Sequence, residues 1–178
     1  MNQLIQRNKI PPLRQVRYCC RELKERGGAG RVKVTGIRAE ESPRRAKRSV
    51  VEDDIKGGGK FVHVIKRWTT ADVWQYIHEN NLPYCSLYDE GFTRIGCVLC
   101  PFQSEAQTLR DIARFPAIVE YYRRACGKSF EKWHDQLSKR FEDGDALFRW
   151  WIDQRHGRAI AQDCNSIPLF SEDDGSIL

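Results

Sequence analysis

Arg31-Val32-Lys33-Val34-Thr35-Gly36-Ile37-Arg38-Ala39-Glu40-Glu41-Ser42-Pro43-Arg44-Arg45 is the stretch on which the reading of this 178-residue chain turns. From Arg31 to Ile37 the apolar residues Val32, Val34 and Ile37 flank Lys33 and Thr35, close to the alternation of a half-buried strand. Gly36, near its end, permits close approach of the backbone to a ligand. Beyond it, Arg38, Arg44 and Arg45 carry planar donor forks suited to phosphate or sulfate oxygens. Glu40, Glu41 and Ser42 are placed to orient them or to touch a ribose. The plainer reading is a charged loop and a helix start, with Ser42 as N-cap and Pro43 at the first helical position. The two readings are compatible, and both make the amino half α/β.

Working outward, Val50 to Ile55 and Phe61 to Ile65 read as strand, turn and strand around Gly57-Gly58-Gly59. The triple glycine lacks the G-x-x-x-x-G-K-[ST] pattern and a following helix, so it is a poor phosphate loop. Thr69 or Thr70 caps a helix from Ala71 to Asn80, with Asp72 in the favourable first turn. Its stripe of Val73, Trp74 and Ile77 is expected to be core. Ser104 and Gln107 form a capping-box pattern for a further helix, and Pro116 ends that helix or begins the next. Later helices are expected over Phe130–Arg140 and Ala146–Arg155, the second lined by Leu147, Phe148, Trp151 and Ile152. Upstream, Met1 to Pro12 shows little periodicity. Val16 to Arg26 reads as a short basic helix ended by Gly27, Gly28 and Gly30. The carboxy half is therefore largely helical. With no internal repeat and no clear linker, residues 1–170 are expected to form one domain and residues 171–178 an acidic tail.

The composition fits a folded globule, with 40% hydrophobic residues, five tryptophans and eight phenylalanines. No apolar run approaches transmembrane length and no signal-peptide pattern opens the chain, so a cytoplasmic protein without membrane contact is expected. The net charge of +6 is uneven. Arg14 to Arg48 holds twelve Lys or Arg against four Glu, and the remainder is net acidic. Such a field suits a nucleotide, a sulfate or a nucleic-acid backbone, or is simply a solvated basic face. None of the four histidines demands a catalytic role; core, surface or capping use is expected of His63, His78, His134 and His156. No spacing marks a serine triad or a paired-carboxylate hydrolase.

Seven cysteines suit a reducing compartment. Cys97 and Cys100, in Gly96-Cys97-Val98-Leu99-Cys100-Pro101, and the adjacent pair Cys19-Cys20 read as four thiolates on one metal centre. Tetrahedral sulfur sites hold an iron–sulfur cluster or zinc. Neighbouring cysteines suit the separated corners of a cluster better than a single ion. Two unrelated buried cysteine sites, a redox Cys-x-x-Cys and disulfides are the alternatives. Cys126 reads as structural, and Cys85 and Cys164 as minor ligand or redox candidates.

Four ordered blocks together resemble a known family: Val16 to Lys24, Thr35 to Arg45, Trp68-Thr69-Thr70-Ala71-Asp72-Val73-Trp74-Gln75-Tyr76-Ile77, and Gly96 to Pro101. The family is that of the phosphoadenosine phosphosulfate and adenylyl sulfate reductases, and the resemblance covers roughly Val16 to Pro101. It implies a partial adenine-nucleotide α-hydrolase-like domain, with a parallel sheet flanked by helices and the nucleotide at the strand ends. It also implies a [4Fe–4S] cluster on Cys19, Cys20, Cys97 and Cys100, with zinc as the alternative metal. The family's G-[IL]-R-x-x-E-S segment falls on Gly36, Ile37, Arg38, Glu41 and Ser42, which with Arg44 and Arg45 would contribute to a pocket for an adenine nucleotide or activated sulfate. The S-G-G-K-D-S-like phosphate loop and the E-C-G-L-H-like nucleophile segment find no match; Cys164 sits in Asp163-Cys164-Asn165-Ser166. The expectation is a cluster-bearing reductase-like protein whose phosphate loop comes from a protein partner. A component of a DNA or RNA sulfur-modification complex, and a non-catalytic metal-stabilised protein, are the other readings.

Overall fold

The computed structural model describes residues 1–25 and 27–153. The chain divides into two compact units, one of Met1–Cys20 together with the chain from Gly96 on, the other of Arg21–Ile95.

The first unit is helical. Helix α1 (Asn2–Asn8) precedes the short α2 (Tyr18–Cys20), and α5 (Glu105–Arg114), α6 (Pro116–Lys132), α7 (His134–Leu137) and α8 (Gly144–Asp153) follow later. Its core gathers Ile5, Ile10, Leu99, Tyr122, Cys126, Leu137, Leu147 and Trp151. Trp151 is fully buried, stacks on Tyr122 at 5.1 Å, and donates its indole N–H to the Pro12 carbonyl at 2.9 Å. Gly144 opens α8 where it must pass close to α6; a Cβ there would stand 2.4 Å from Gly127 Cα. The capping box on α5 is present, with Ser104 Oγ accepting from Gln107 N. Pro116 begins α6 rather than merely ending α5, as befits a residue with no N–H to offer an upstream carbonyl.

The amino terminus departs from the sequence reading. Residues 2–8 are helical and Ile5 is fully buried, although the segment shows no clear period. Two hydrogen bonds hold it from far along the chain: Ser129 Oγ donates to the Lys9 carbonyl at 2.7 Å, and Trp133 Nε1 to that of Gln6 at 2.6 Å. The expected helix at Phe130–Arg140 is also redistributed. Helix α6 runs through to Lys132 and α7 covers only His134–Leu137.

The second unit is built on a three-stranded sheet of β1 (Val32–Thr35), β2 (Val51–Asp53) and β3 (Lys60–His63), in the order β1-β3-β2. Strands β1 and β3 are parallel and β2 pairs antiparallel with β3, so the sheet is mixed where the family resemblance implied a parallel one. The segment from β1 to β3 holds a 3₁₀ turn (Ala39–Glu41), α3 (Pro43–Ala46) and β2. The glycine turn between β2 and β3 needs Gly59: its φ is +83° and a Cβ would lie 2.3 Å from the Arg31 carbonyl oxygen. Helix α4 (Thr70–Glu79) follows, capped by Thr69 with Asp72 reciprocating at its backbone N–H.

The amino region is thus mixed α/β and the carboxy half largely helical, the expected fold class. Burial is where expectation and structure part. No residue of α4 is buried, so the stripe of Val73, Trp74 and Ile77 does not form core. Trp74 instead packs edge-on against Tyr84 and Tyr88, each at 5.1 Å, and stacks with His78. Val16–Arg26 is not one α-helix either; after α2 the chain widens into a π-helical turn at Arg21–Glu25. Residues 171–178, the expected acidic tail, and Cys164 lie outside the described residues.

Candidate functional site

The Gly36–Arg45 loop leaves the carboxyl end of β1, a strand in parallel register with β3. Loops at such strand ends are the common place for ligand sites in α/β sheets. Gly36 has room for a Cβ, which would meet only Ile65 Cδ1 at 3.7 Å, so packing alone does not call for a glycine there. Arg38 is extended and shielded, with 16% of its side chain exposed. Its Nη1 donates to Glu40 Oε2 at 3.2 Å and to Thr70 Oγ1 at 3.1 Å, and its Nε lies 3.8 Å from Glu41 Oε1. Thr70 N closes the circuit by donating to Glu40 Oε2 at 2.6 Å. The start of α4 is thereby tied to the loop. Thr70 is the residue that sequence reasoning weighed only as a cap; its adjacency to Thr69 hid its second role.

Ser42 caps α3, its Oγ accepting from Arg45 N at 3.2 Å, and Pro43 sits in the first turn. The plainer reading of this segment therefore holds locally. Arg45 pairs closely with Glu41 across one helical turn. Arg44 is exposed and has no ion-pair partner among the described residues. The loop therefore brings Arg38, Glu41, Ser42 and Arg45 together and leaves Arg44 turned to solvent. Much of the basic excess upstream and downstream is likewise paired. Lys33 meets Asp54 and Arg48 meets Glu52, and both carboxyls are held below the usual carboxylate range chiefly by those bonds. In the helical unit, Arg14 donates to the Pro101 carbonyl at 2.8 Å, and Arg17 lies over the Phe102 ring.

The cysteine stretch has a different organisation from the one its spacing suggested. Around Cys97 and Cys100 the chain makes a tight turn, Cys100 N donating to the Cys97 carbonyl at 3.2 Å. The turn is built about Leu99, which is buried in the core with φ at +54°. A left-handed conformation costs a non-glycine residue about 1–2 kcal/mol. Burying a leucine gains about 1.5–3 kcal/mol, enough to offset it. The buried Asp111 carboxylate fastens the turn, accepting from Leu99 N and from Gln103 Nε2, both at 2.8 Å.

This overturns the metal assignment. Among the described residues, no group of three or more His, Cys, Asp or Glu side chains comes together to hold a metal ion, whether cluster or zinc. Cys97 is exposed, Cys19, Cys20 and Cys100 are half-buried, and no disulfide joins them among the described residues. Burial, with Cys20 beside it, pushes the Cys19 thiol up to about 11. The core demand of Leu99, a residue between the sulfurs, sets the turn. Cys126 is buried in the helical core and Cys85 is exposed.

Among the described residues no helix is long and apolar enough to cross a membrane. Over 70 residues the chain is 40% identical to the adenosine 5′-phosphosulfate reductase of Oceanobacillus iheyensis, covering 39% of this chain and 29% of that protein. It is 44% identical over 64 residues to the phosphoadenosine 5′-phosphosulfate reductase of Gloeobacter violaceus, covering 36% and 27%. An uncharacterized protein of Methanocaldococcus jannaschii is 37% identical over 82 residues, 46% of this chain and 17% of that one. The chain thus spans less than a third of the length of these relatives. No solved structure matches it. The family model of the phosphoadenosine phosphosulfate reductase domain matches residues 2–103, more than half of the sequence, and the chain belongs to that family.

Proposed function

We propose that this chain is a reductase-like protein or subunit that binds an activated-sulfate adenine nucleotide through the Gly36–Arg45 loop, for sulfur transfer or reduction. The observation that carries the reading is the state of Arg38. Its guanidinium is shielded and held by Glu40, Glu41 and Thr70 at the end of a parallel strand. A side chain so restrained loses little further freedom on meeting an anion, and its planar fork matches sulfate and phosphate oxygens. Arg45 and the exposed Arg44 add positive charge. Glu41 and Ser42 orient the loop, Glu41 through Arg45 and Ser42 through its cap. Gly36 leaves the backbone bare where a ligand would approach. The relatives named for adenosine 5′-phosphosulfate support the substrate class. The pairing of Lys33, Arg38, Arg45 and Arg48 with carboxylates favours a compact anion over a long nucleic-acid backbone, which calls for a run of free cations.

Calorimetric titration with adenosine 5′-phosphosulfate tests the reading. The chain should bind it, and Arg38→Ala should weaken binding roughly tenfold or more, the worth of a charge-assisted hydrogen-bond pair. Wild-type affinity in Arg38→Ala, or binding of duplex DNA or transfer RNA in place of the nucleotide, would remove the support.

A further inference from the structure

Within Arg21–Ile95, His63 is the only buried residue among those described, and its side chain has no exposure at all. A histidine in that position is unusual for a unit with so little apolar interior, and its surroundings are specific. Nδ1 lies 2.5 Å from Thr35 Oγ1, on the neighbouring strand at the paired register position. Nε2 lies 3.3 Å from Glu52 Oε1 on β2, short of a formed hydrogen bond, so it is a buried polar atom facing a carboxylate. Glu52 is in turn paired with Arg48, whose guanidinium lies over the Phe61 ring. Phe61 stacks parallel to the His63 ring at 6.2 Å, and Lys33, paired with Asp54, covers the same phenyl ring.

The backbone of His63 reaches the arginine loop by a second route. Its carbonyl accepts from Lys66 N at 3.1 Å, and the Lys66 carbonyl accepts from Ala39 N at 2.8 Å. One residue therefore holds both ends of a short segment: Thr35 through its imidazole, and Ala39 through one turn of main chain. Between these anchors lie only Gly36, Ile37 and Arg38.

We infer that His63 is a positioning residue for Arg38, with Nε2–H directed at Glu52 and Nδ1 accepting the Thr35 hydroxyl proton. The choice of tautomer follows from the inventory of donors. A carboxylate can only accept, whereas a threonine hydroxyl can donate or accept, so Glu52 sets the proton on Nε2 and Thr35 adapts. The inference rests on the reading that the loop binds an activated-sulfate nucleotide, and it adds a residue that touches neither ligand nor loop side chain.

The test uses the full chain, with adenosine 5′-phosphosulfate as the probe and Arg38→Ala as control. Thr35→Val and His63→Gln each remove the Nδ1–hydroxyl bond and should weaken binding about tenfold. The double variant should be no weaker than either single one, because both break the same link. His63→Asn, whose amide stands near the position of Nδ1, should restore most of the affinity. In the unliganded protein, ¹⁵N shifts of the imidazole should report Nε2 protonated and Nδ1 bare, with Thr35→Val changing the Nδ1 shift. An Nδ1–H tautomer, additive losses in the double variant, or wild-type affinity in Thr35→Val would each overturn the inference. If Arg38→Ala binds as wild type does, the nucleotide-loop reading itself fails; the tautomer measurement separates the two outcomes because it needs no ligand.

Discussion

The helical unit and the sheet unit solve the problem of holding a fold in opposite ways. The first has a contiguous apolar core around Ile5, Tyr122, Leu147 and Trp151. Arg21–Ile95 has one buried residue among those described, and it is polar. Along β1, Val32 is 65% and Val34 68% exposed, on the face they share with Val51 and Val62. The opposite face carries Lys33, Phe61, Glu52, Thr35 and His63, held by the Thr35–His63 hydrogen bond, by the ion pairs of Lys33 with Asp54 and of Glu52 with Arg48, and by the cations over the Phe61 ring. Apolar burial is additive and forgiving of direction; a polar network is directional and sensitive to each missing partner. The helical unit should therefore respond to volume, and the sheet unit to chemistry.

That contrast can be broken at several points. Trp151→Ala removes a fully buried ring and its bond to Pro12, and should cost roughly 3–5 kcal/mol in urea unfolding followed by helical signal. A loss below about 1 kcal/mol would mean that the helical core is not the chief support of that unit. Asp111→Ala should cost about 1–3 kcal/mol by stranding the buried Leu99 N–H. The loss should come with faster exchange of that amide.

The sheet unit should show its dependence in acid. Glu52 is held ionised chiefly by Arg48 and also by His63, so its folded carboxyl titrates below its unfolded one. The stabilisation is complete above the ordinary glutamate range and fades as pH falls through the depressed folded value. Glu52→Gln should flatten the acid limb of the stability profile of this unit and lower its plateau near neutrality. An unchanged acid limb would remove Glu52 from the network. Least of all, Val34→Ala should change stability by less than about 0.5 kcal/mol, as expected of an exposed position. A cost of core size there would show that the valine face is covered in solution, and the contrast between the units would narrow.

Much of the candidate loop was legible because its signals are short-range. The Ser42 cap, the Pro43 start and the Arg45–Glu41 pair involve residues three or four apart, and the alternation of Val32 and Val34 marks β1 directly. The partner of Arg38 from α4 was not legible. Thr70 stands thirty-two residues away, and nothing in its surroundings distinguishes it from a capping residue. The cysteines misled for a related reason. Their spacing describes how near two sulfurs can come, whereas their actual placement is governed by the burial of Leu99 and its bond to Asp111.

By itself, the sequence determined the locally capped elements and the family. Capping boxes at Thr69 and Ser104, the proline at the head of α6 and the four family blocks are all written within a few residues of one another. Tertiary structure alone decided what is inside. It buried Ile5 from a segment with no clear period, left the Val73, Trp74 and Ile77 stripe outside the buried core, and placed His63 between Thr35 and Glu52. The reason is range. A cap is satisfied by its own turn, but a core position depends on partners such as Trp151 and Pro12, 139 residues apart, which local pattern cannot bring together.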